Sequence, residues 1–167
     1  VNALSENMKV EVIRSGFLYR QEFSRGLATT ELLKIEPTKK SNGTMISFKP
    51  DNTIFVENCT FSPEKIFKIL EYKAYLVAGV QINWKCHPSL LTENNNLSTS
   101  KKLCFLNGLS QYIISKTSNT QMFIASSFED TVKIDKETVE WAVRWFTEDE
   151  GSFIESFCNT VPTPLGG

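Results

Sequence analysis

Met8-Lys9-Val10-Glu11-Val12-Ile13-Arg14-Ser15-Gly16-Phe17-Leu18-Tyr19-Arg20-Gln21-Glu22-Phe23-Ser24 decides the fold class. Val10 and Val12 stand two apart before the Ser15-Gly16 pair, and Phe17 and Tyr19 resume the same spacing after it. A side-chain period of two marks a half-buried strand, and a small flexible pair between two such runs marks a tight turn. The spacing predicts a hairpin over 8–24. Outward from it, strands are expected over 31–35 and over 43–48, the second stopped by Pro50-Asp51-Asn52. The period then changes. Ser62-Pro63-Glu64 reads as an N-cap, a proline at the first helical position and an early acid, and Ile66, Ile69, Leu70, Ala74 and Val77 form one helical stripe ending at Gly79.

Beyond that helix a strand is expected over 80–84. Asn94 to Ser100 is polar and aperiodic, the mark of a domain boundary or a long hairpin tip. A short helix over 107–117 and strands over 122–125, 139–146 and 153–161 follow. The order predicts an α+β fold in two pieces, without internal repeats. Val1-Asn2-Ala3-Leu4-Ser5 reads as the last turn of a helix and Pro164-Leu165-Gly166-Gly167 as a turn, so both ends read as cut.

Lys and Arg number 18 against 19 Asp and Glu, a formal charge of -1 over 167 residues. That balance excludes a basic arm or an acidic tail. With 41% hydrophobic and 22% charged residues the composition is that of a folded globular chain. The longest apolar run, Ala74 to Ile82, is about half of the ~20 residues a membrane span requires, and no basic-then-apolar leader opens the chain. A soluble cytoplasmic protein with no membrane partner is expected. Cys59, Cys86, Cys104 and Cys158 form no C-x-x-C pair and are read as core thiols, and the three N-x-S/T triplets are read as chance.

Few residues announce chemistry. His87 is the single histidine and has no metal-ligand spacing around it. Neither G-x-x-x-x-G-K-[ST] nor G-x-G-x-x-G occurs. Glu148-Asp149-Glu150 reads as a solvated hairpin tip. Lys39-Lys40 and Lys101-Lys102 are isolated doublets without interleaved aromatics, which gives direct nucleic-acid binding no footprint. Arg14, Arg20 and Arg25 read as a solvated sheet face; Arg14 shares the parity of Val10 and Val12 but adjoins the turn.

The strings themselves add to this. Val1-Asn2-Ala3-Leu4-Ser5, the hairpin end Tyr19-Arg20-Gln21-Glu22-Phe23-Ser24-Arg25-Gly26, and Gly43-Thr44-Met45-Ile46-Ser47-Phe48-Lys49-Pro50-Asp51 occur in order. Ala78-Gly79-Val80, Phe105-Leu106-Asn107-Gly108-Leu109 and Cys158-Asn159-Thr160-Val161-Pro162-Thr163 follow them. Together they resemble the ATPase (B) subunit of bacterial type II DNA topoisomerases over nearly the whole chain. Residues 157–163 resemble the topoisomerase IV branch more than the gyrase branch.

The resemblance implies an internal fragment: the C-terminal part of a GHKL-type ATPase domain over 1–98, a mixed sheet with helices on one face, then the start of a ribosomal-S5-like transducer domain over 99–167. It implies ATP and Mg2+ as cofactors of the whole subunit, DNA and the DNA-cleaving A-type subunit as partners, and homodimerisation on ATP binding. Thr44 matches the threonine of the hydrogen-bonding network around adenine, Ile46 an apolar wall of the adenine pocket, and Arg14 the arginine at the pocket mouth that aminocoumarin inhibitors touch. The water-activating acid, the magnesium-holding Asn, the lid glycines and the phosphate-facing lysine match no residue of this chain. The resemblance therefore implies no catalytic or metal-binding residue here and no activity for the segment alone. Trp84-Lys85-Cys86-His87 and Asn107-Gly108 depart from the family pattern. The alternative is a noncatalytic interaction module derived from a truncated subunit.

Overall fold

A computed structural model describes residues 1–55, 60–91, 97–117, 124, 126–147 and 152–164. The chain divides into two compact units, Val1–Thr60 and Phe61–Gly167.

The first unit is a five-stranded sheet. After a 3-10 turn at Asn2–Leu4 come β1 (Ser5–Arg14), β2 (Phe17–Ser24), β3 (Leu27–Ala28), β4 (Leu33–Pro37) and β5 (Gly43–Pro50). The strand order is β3-β2-β1-β5, with β4 also paired to β2, and the pairs are antiparallel. The expected hairpin over 8–24 is β1–β2, turned by Ser15 and Gly16, both at positive φ. β1 carries one extra residue against β5: Ser5 faces Pro50, but Asn7 already faces Lys49. The bulge falls at Glu6, whose carbonyl accepts from Ser24 Oγ at 2.8 Å and whose carboxylate pairs with Lys49 at 2.6 Å.

The second unit holds the apolar core. α1 (Pro63–Leu76) starts where Ser62 accepts a hydrogen bond from the Lys65 amide, as its sequence predicts. Its buried residues Phe67 and Ala74 meet Trp84 and Leu103 of the hairpin formed by β6 (Ile82–Lys85) and β7 (Ser100–Leu103). Of the polar stretch over 94–100, residues 97–99 lead into β7, which Ser100 begins, and 94–96 lie outside the described residues. α2 (Gly108–Lys116) follows, then the hairpin β8 (Phe128–Ile134) and β9 (Glu137–Val143), then β10 (Phe157–Cys158) and β11 (Val161–Pro162).

Several expectations are corrected. The strand expected over 153–161 is two two-residue strands, because Asn159 and Thr160 both adopt positive φ and reverse the chain. β8 was not expected, its Glu129-Asp130 pair obscuring the alternation of Phe128, Val132 and Ile134. The expected strand over 139–146 starts earlier, at Glu137, and stops at Val143. Cys104 and Cys158 are exposed, on a connection and a short hairpin, so these two are not core thiols, whereas Cys86 is half-buried and packs against the core of Phe67, Ala74, Trp84 and Leu103. Cys59, the acids at 148–150 and most of the strand expected over 122–125 lie outside the described residues. No described helix is long and apolar enough to cross a membrane.

Replacing Ser62 by Ala removes the side-chain acceptor of the Lys65 amide, and the expected cost is about 1 kcal/mol. Urea unfolding followed by far-UV circular dichroism measures it.

Candidate functional site

Cross-strand partners in a sheet point to the same side, so the register of β1 fixes what Thr44 and Ile46 stand beside. Val12 faces Thr44 and Val10 faces Ile46 across β1–β5, while Val12 faces Tyr19 and Arg14 faces Phe17 across β1–β2. One side of the sheet therefore carries Met8, Val10, Val12 and Arg14, flanked by Phe17, Tyr19 and Phe23 and by Thr44, Ile46 and Phe48. The three residues singled out from the sequence share this face. Arg14 keeps its register next to the turn and so lies on the side its parity predicts.

The chemistry of the face is simple. It is an apolar floor bearing one hydroxyl at Thr44, able to donate and accept at once, and one guanidinium at Arg14. Thr44 and Arg14 are exposed and Ile46 retains 54% of its accessible surface. The buried positions described in this unit are polar: Ser5, Glu11 and Asp51. The apolar side chains of the floor thus remain accessible to a ligand or to covering structure. A shallow cleft at the Met8–Phe23–Phe48 end of the sheet does not include Thr44, Ile46 or Arg14.

The opposite side carries Lys9, Glu11 and Arg20. Glu11, facing Arg20 directly, is 7% exposed, and its Oε1 accepts from Arg20 Nε at 3.0 Å and Nη2 at 2.6 Å. Arg20 holds the carboxyl below the usual glutamate range, against the opposing effect of burial. Two arginines read as solvated are thus paired, since Arg25 is engaged as well. Asp51, 2% exposed, accepts from Arg25 Nε at 2.6 Å, from the Thr53 amide at 2.9 Å and from Thr53 Oγ1 at 2.8 Å. The Asp51 amide donates to Leu4 O and the Arg25 amide to Ser5 O, both at 3.0 Å. The hydrogen bonds from the Arg25 side chain and from Thr53, led by that from Arg25, bring the Asp51 carboxyl down to about 2. The Asp51-Asn52-Thr53 turn motif was the available signal for a carboxylate used locally. Sequence reasoning missed it because Arg25 is 26 residues away.

His87 caps the 3-10 turn at Pro88–Leu90, its Nδ1 accepting from the Ser89 amide at 3.3 Å. Among the described residues no group of three His, Cys, Asp or Glu side chains could hold a metal ion.

Residues 108–167 match the family model described as DNA gyrase B. Over its whole length the chain is 40% identical to the B subunit of DNA topoisomerase 4 from Rickettsia prowazekii (strain Madrid E) and 33% identical to that of Escherichia coli (strain K12). The chain is similar to the B subunits of topoisomerase IV and gyrase. The chain spans 25% of the length of each of these relatives. The fold agrees: 96% of the chain superposes on 42% of the 43K ATPase domain of Thermus thermophilus gyrase B, solved with an aminocoumarin, at 27% identity and a TM-score of 0.81. The topoisomerase IV ATP-binding domain of Francisella tularensis, solved with a small-molecule inhibitor, matches 98% of the chain with 41% of its own length, at 25% identity and a TM-score of 0.76. The expected α+β fold of a gyrase-type ATPase segment is borne out.

The folded-state value of Asp51 lies below its ordinary 3.8, so its stabilising effect is fully present above that pH and is withdrawn as pH falls toward about 2. Asp51→Asn is expected to lower the melting midpoint by several degrees at neutral pH and to flatten the acid limb of the stability curve. Carboxyl NMR titration checks the cause, and an Asp51 titrating near 3.8 would contradict it.

Proposed function

We propose that this chain is part of the ATP-hydrolysing subunit of a type II DNA topoisomerase, which couples ATP binding and hydrolysis to DNA strand passage. The observation that carries the reading is the match along the whole chain to topoisomerase IV B subunits, with the matched pocket residues Thr44, Ile46 and Arg14 on one coherent sheet face. The relatives named as topoisomerase IV subunits, up to 41% identical, support that branch.

In this reading the face is the floor of the adenine pocket. Val10, Val12 and Ile46 supply an apolar surface for the base, the Thr44 hydroxyl completes its hydrogen-bonding edge, and Arg14 closes the mouth by stacking or by bonding a carbonyl. ATP supplies the phosphoryl group whose transfer to water drives the cycle, and the described residues fit its base end. They bring together no metal-binding group, so magnesium would be held by residues elsewhere in the subunit. DNA, the A-type subunit and ATP-dependent homodimerisation belong to the whole enzyme. The division into an ATPase part over 1–98 and a transducer part over 99–167, like cytoplasmic localisation in a bacterium, is part of the same proposal.

Two outcomes test it. The chain alone is expected to release no phosphate from Mg-ATP, because the groups that position water and stabilise the transferring phosphoryl match nothing in it. Magnesium-dependent turnover abolished by a substitution within residues 1–167 would overturn that. In the intact subunit, Thr44→Ala is expected to weaken binding of a nonhydrolysable ATP analogue by about 1–2 kcal/mol, measured by calorimetry, with little change in melting temperature. Unchanged affinity with a large melting shift would make Thr44 a structural strand residue.

A further inference from the structure

β4 does not follow the alternation of its own sequence. Leu33, Ile35 and Pro37 stand two apart, and a regular ladder that starts from Pro37 opposite Phe17 would set Ile35 opposite Tyr19 and Lys34 opposite Arg20. Lys34 would then lie on the far side of the sheet, against a second cation. Instead the pairing shifts between Leu18 and Tyr19: Glu36 faces Leu18, but Lys34 already faces Tyr19. Ile35 is the extra residue of a bulge, and the bulge turns Lys34 onto the side that carries Arg14, Thr44 and Ile46. Thr44, Val12, Tyr19 and Lys34 form one row across four strands.

The ammonium has a definite place there. Lys34 Nζ lies 3.4 Å from the centroid of the Phe17 ring, and Arg14 faces Phe17 across β1–β2. Two cations therefore adjoin one ring. The acids of these strands are on the other side: Glu11 faces Arg20, Glu22 faces Lys9 and Glu36 faces Leu18. Among the described residues neither Arg14 nor Lys34 enters an ion pair. ATP does not account for them, because in the topoisomerase reading the groups that hold its phosphates match no residue of this chain.

We propose that Lys34, with Arg14 and the Phe17 ring between them, is the anion-selecting end of this face. The ligand it selects has a flat aromatic body, resting on Val10, Val12 and Ile46, and a carboxylate or enolate at the mouth. The dimensions agree: Arg14 stands two residues from Val12, about 7 Å along the strand, the length of a fused bicyclic ring. Arg14 can meet a carboxylate through its planar fork, and Lys34 can swing its ammonium from the ring to the same anion. This rests on the topoisomerase reading in taking the face as the nucleotide pocket, while the preferred charge and shape come from the face itself.

The probes are 2-naphthoate and 2-naphthamide, nearly equal in shape and different in charge, titrated into the intact subunit by ligand-observed NMR. 2-Naphthoate should bind several-fold more tightly than 2-naphthamide, and a nonhydrolysable ATP analogue should displace it. Lys34→Met should remove most of the difference and Lys34→Arg should keep it, with affinity for the ATP analogue near wild type in both. Equal affinities of the two probes, or a preference that survives Lys34→Met, would overturn the proposal. So would an equal loss of ATP-analogue affinity in Lys34→Met, since Lys34 would then serve the phosphates, and so would 2-naphthoate that the bound analogue fails to displace. A wild-type subunit that binds no ATP analogue would instead refute the topoisomerase reading, and the comparison of the two probes in wild type and Lys34→Met would still judge the mouth.

Discussion

A carboxylate taken out of water has to be paired, and Asp51, 2% exposed, is paired in a way that ties three distant segments of the first unit together. Its side chain holds Arg25 at the end of β2 and Thr53 in the turn after β5, and its amide holds Leu4 before β1. Asn2 Nδ2 adds a bond to Gly26 O at 3.3 Å. The sheet lacks a buried apolar centre among its described residues, so its strand ends depend on this polar node. The node also sets a condition on register. Ser5 is held opposite Pro50, and a regular ladder from that point would place Glu11 opposite Thr44 and Lys9 opposite Ile46. The bulge at Glu6 absorbs one residue and brings Val12 and Val10 there instead. A polar anchor and an apolar floor coexist because of that one extra residue.

The second unit solves the opposite problem. Its segments are also far apart in sequence, but they are joined by rings. Phe67 packs edge-on against Trp84 at 5.7 Å, and Tyr72, Tyr75, Phe105, Tyr112 and Phe157 form a continuous aromatic set. Such contacts are broad and non-directional compared with the Asp51 node, but each adds roughly 0.5–1.5 kcal/mol beyond its area, and the phenols keep polar handles at the edge. One unit is held by a few charges and the other by stacked area. They should respond differently to solvent: acid acts on the first through Asp51, and denaturants that solvate apolar surface act on the second.

What was legible in the sequence follows from this difference. Periodicity found β1, β2, β5 and α1, because Val10, Val12, Phe17 and Tyr19 alternate and the Ser62-Pro63-Glu64 cap precedes an apolar stripe. It placed Thr44 and Ile46 on one side, and the register adds Val10, Val12 and Arg14 to that side. Periodicity could not see Arg25 with Asp51 or Lys73 with Thr160, since no local rule links residues 26 or 87 apart. It also failed where one or two residues decide the outcome: the positive φ of Asn159 and Thr160 converts an expected strand into a reversal. Arg20 and Arg25, read as solvent-facing, are also paired, which parity could not show: it gives a side and says nothing about an acid on another segment.

The family resemblance drew on a different kind of information, and the structure gives it a physical basis. Val1–Ser5, Arg25-Gly26 and Pro50-Asp51 are separate strings in sequence and one node in space, where a Cβ on Gly26, at φ +87, would stand 3.3 Å from Ala3 Cα. Ala78-Gly79, Phe105 to Gly108 and Cys158 to Thr160 are likewise separate strings that meet on α1. Apolar stripes accept Leu for Ile or Met for Leu with small cost, because these swaps nearly conserve volume and burial. A glycine held at positive φ, such as Gly26 or Gly108, is strained by any side chain, and a buried carboxylate with its full set of donors is costly to replace. The residues that identify the chain are therefore the ones that fix its geometry, and the periodic ones supply the mass that geometry organises.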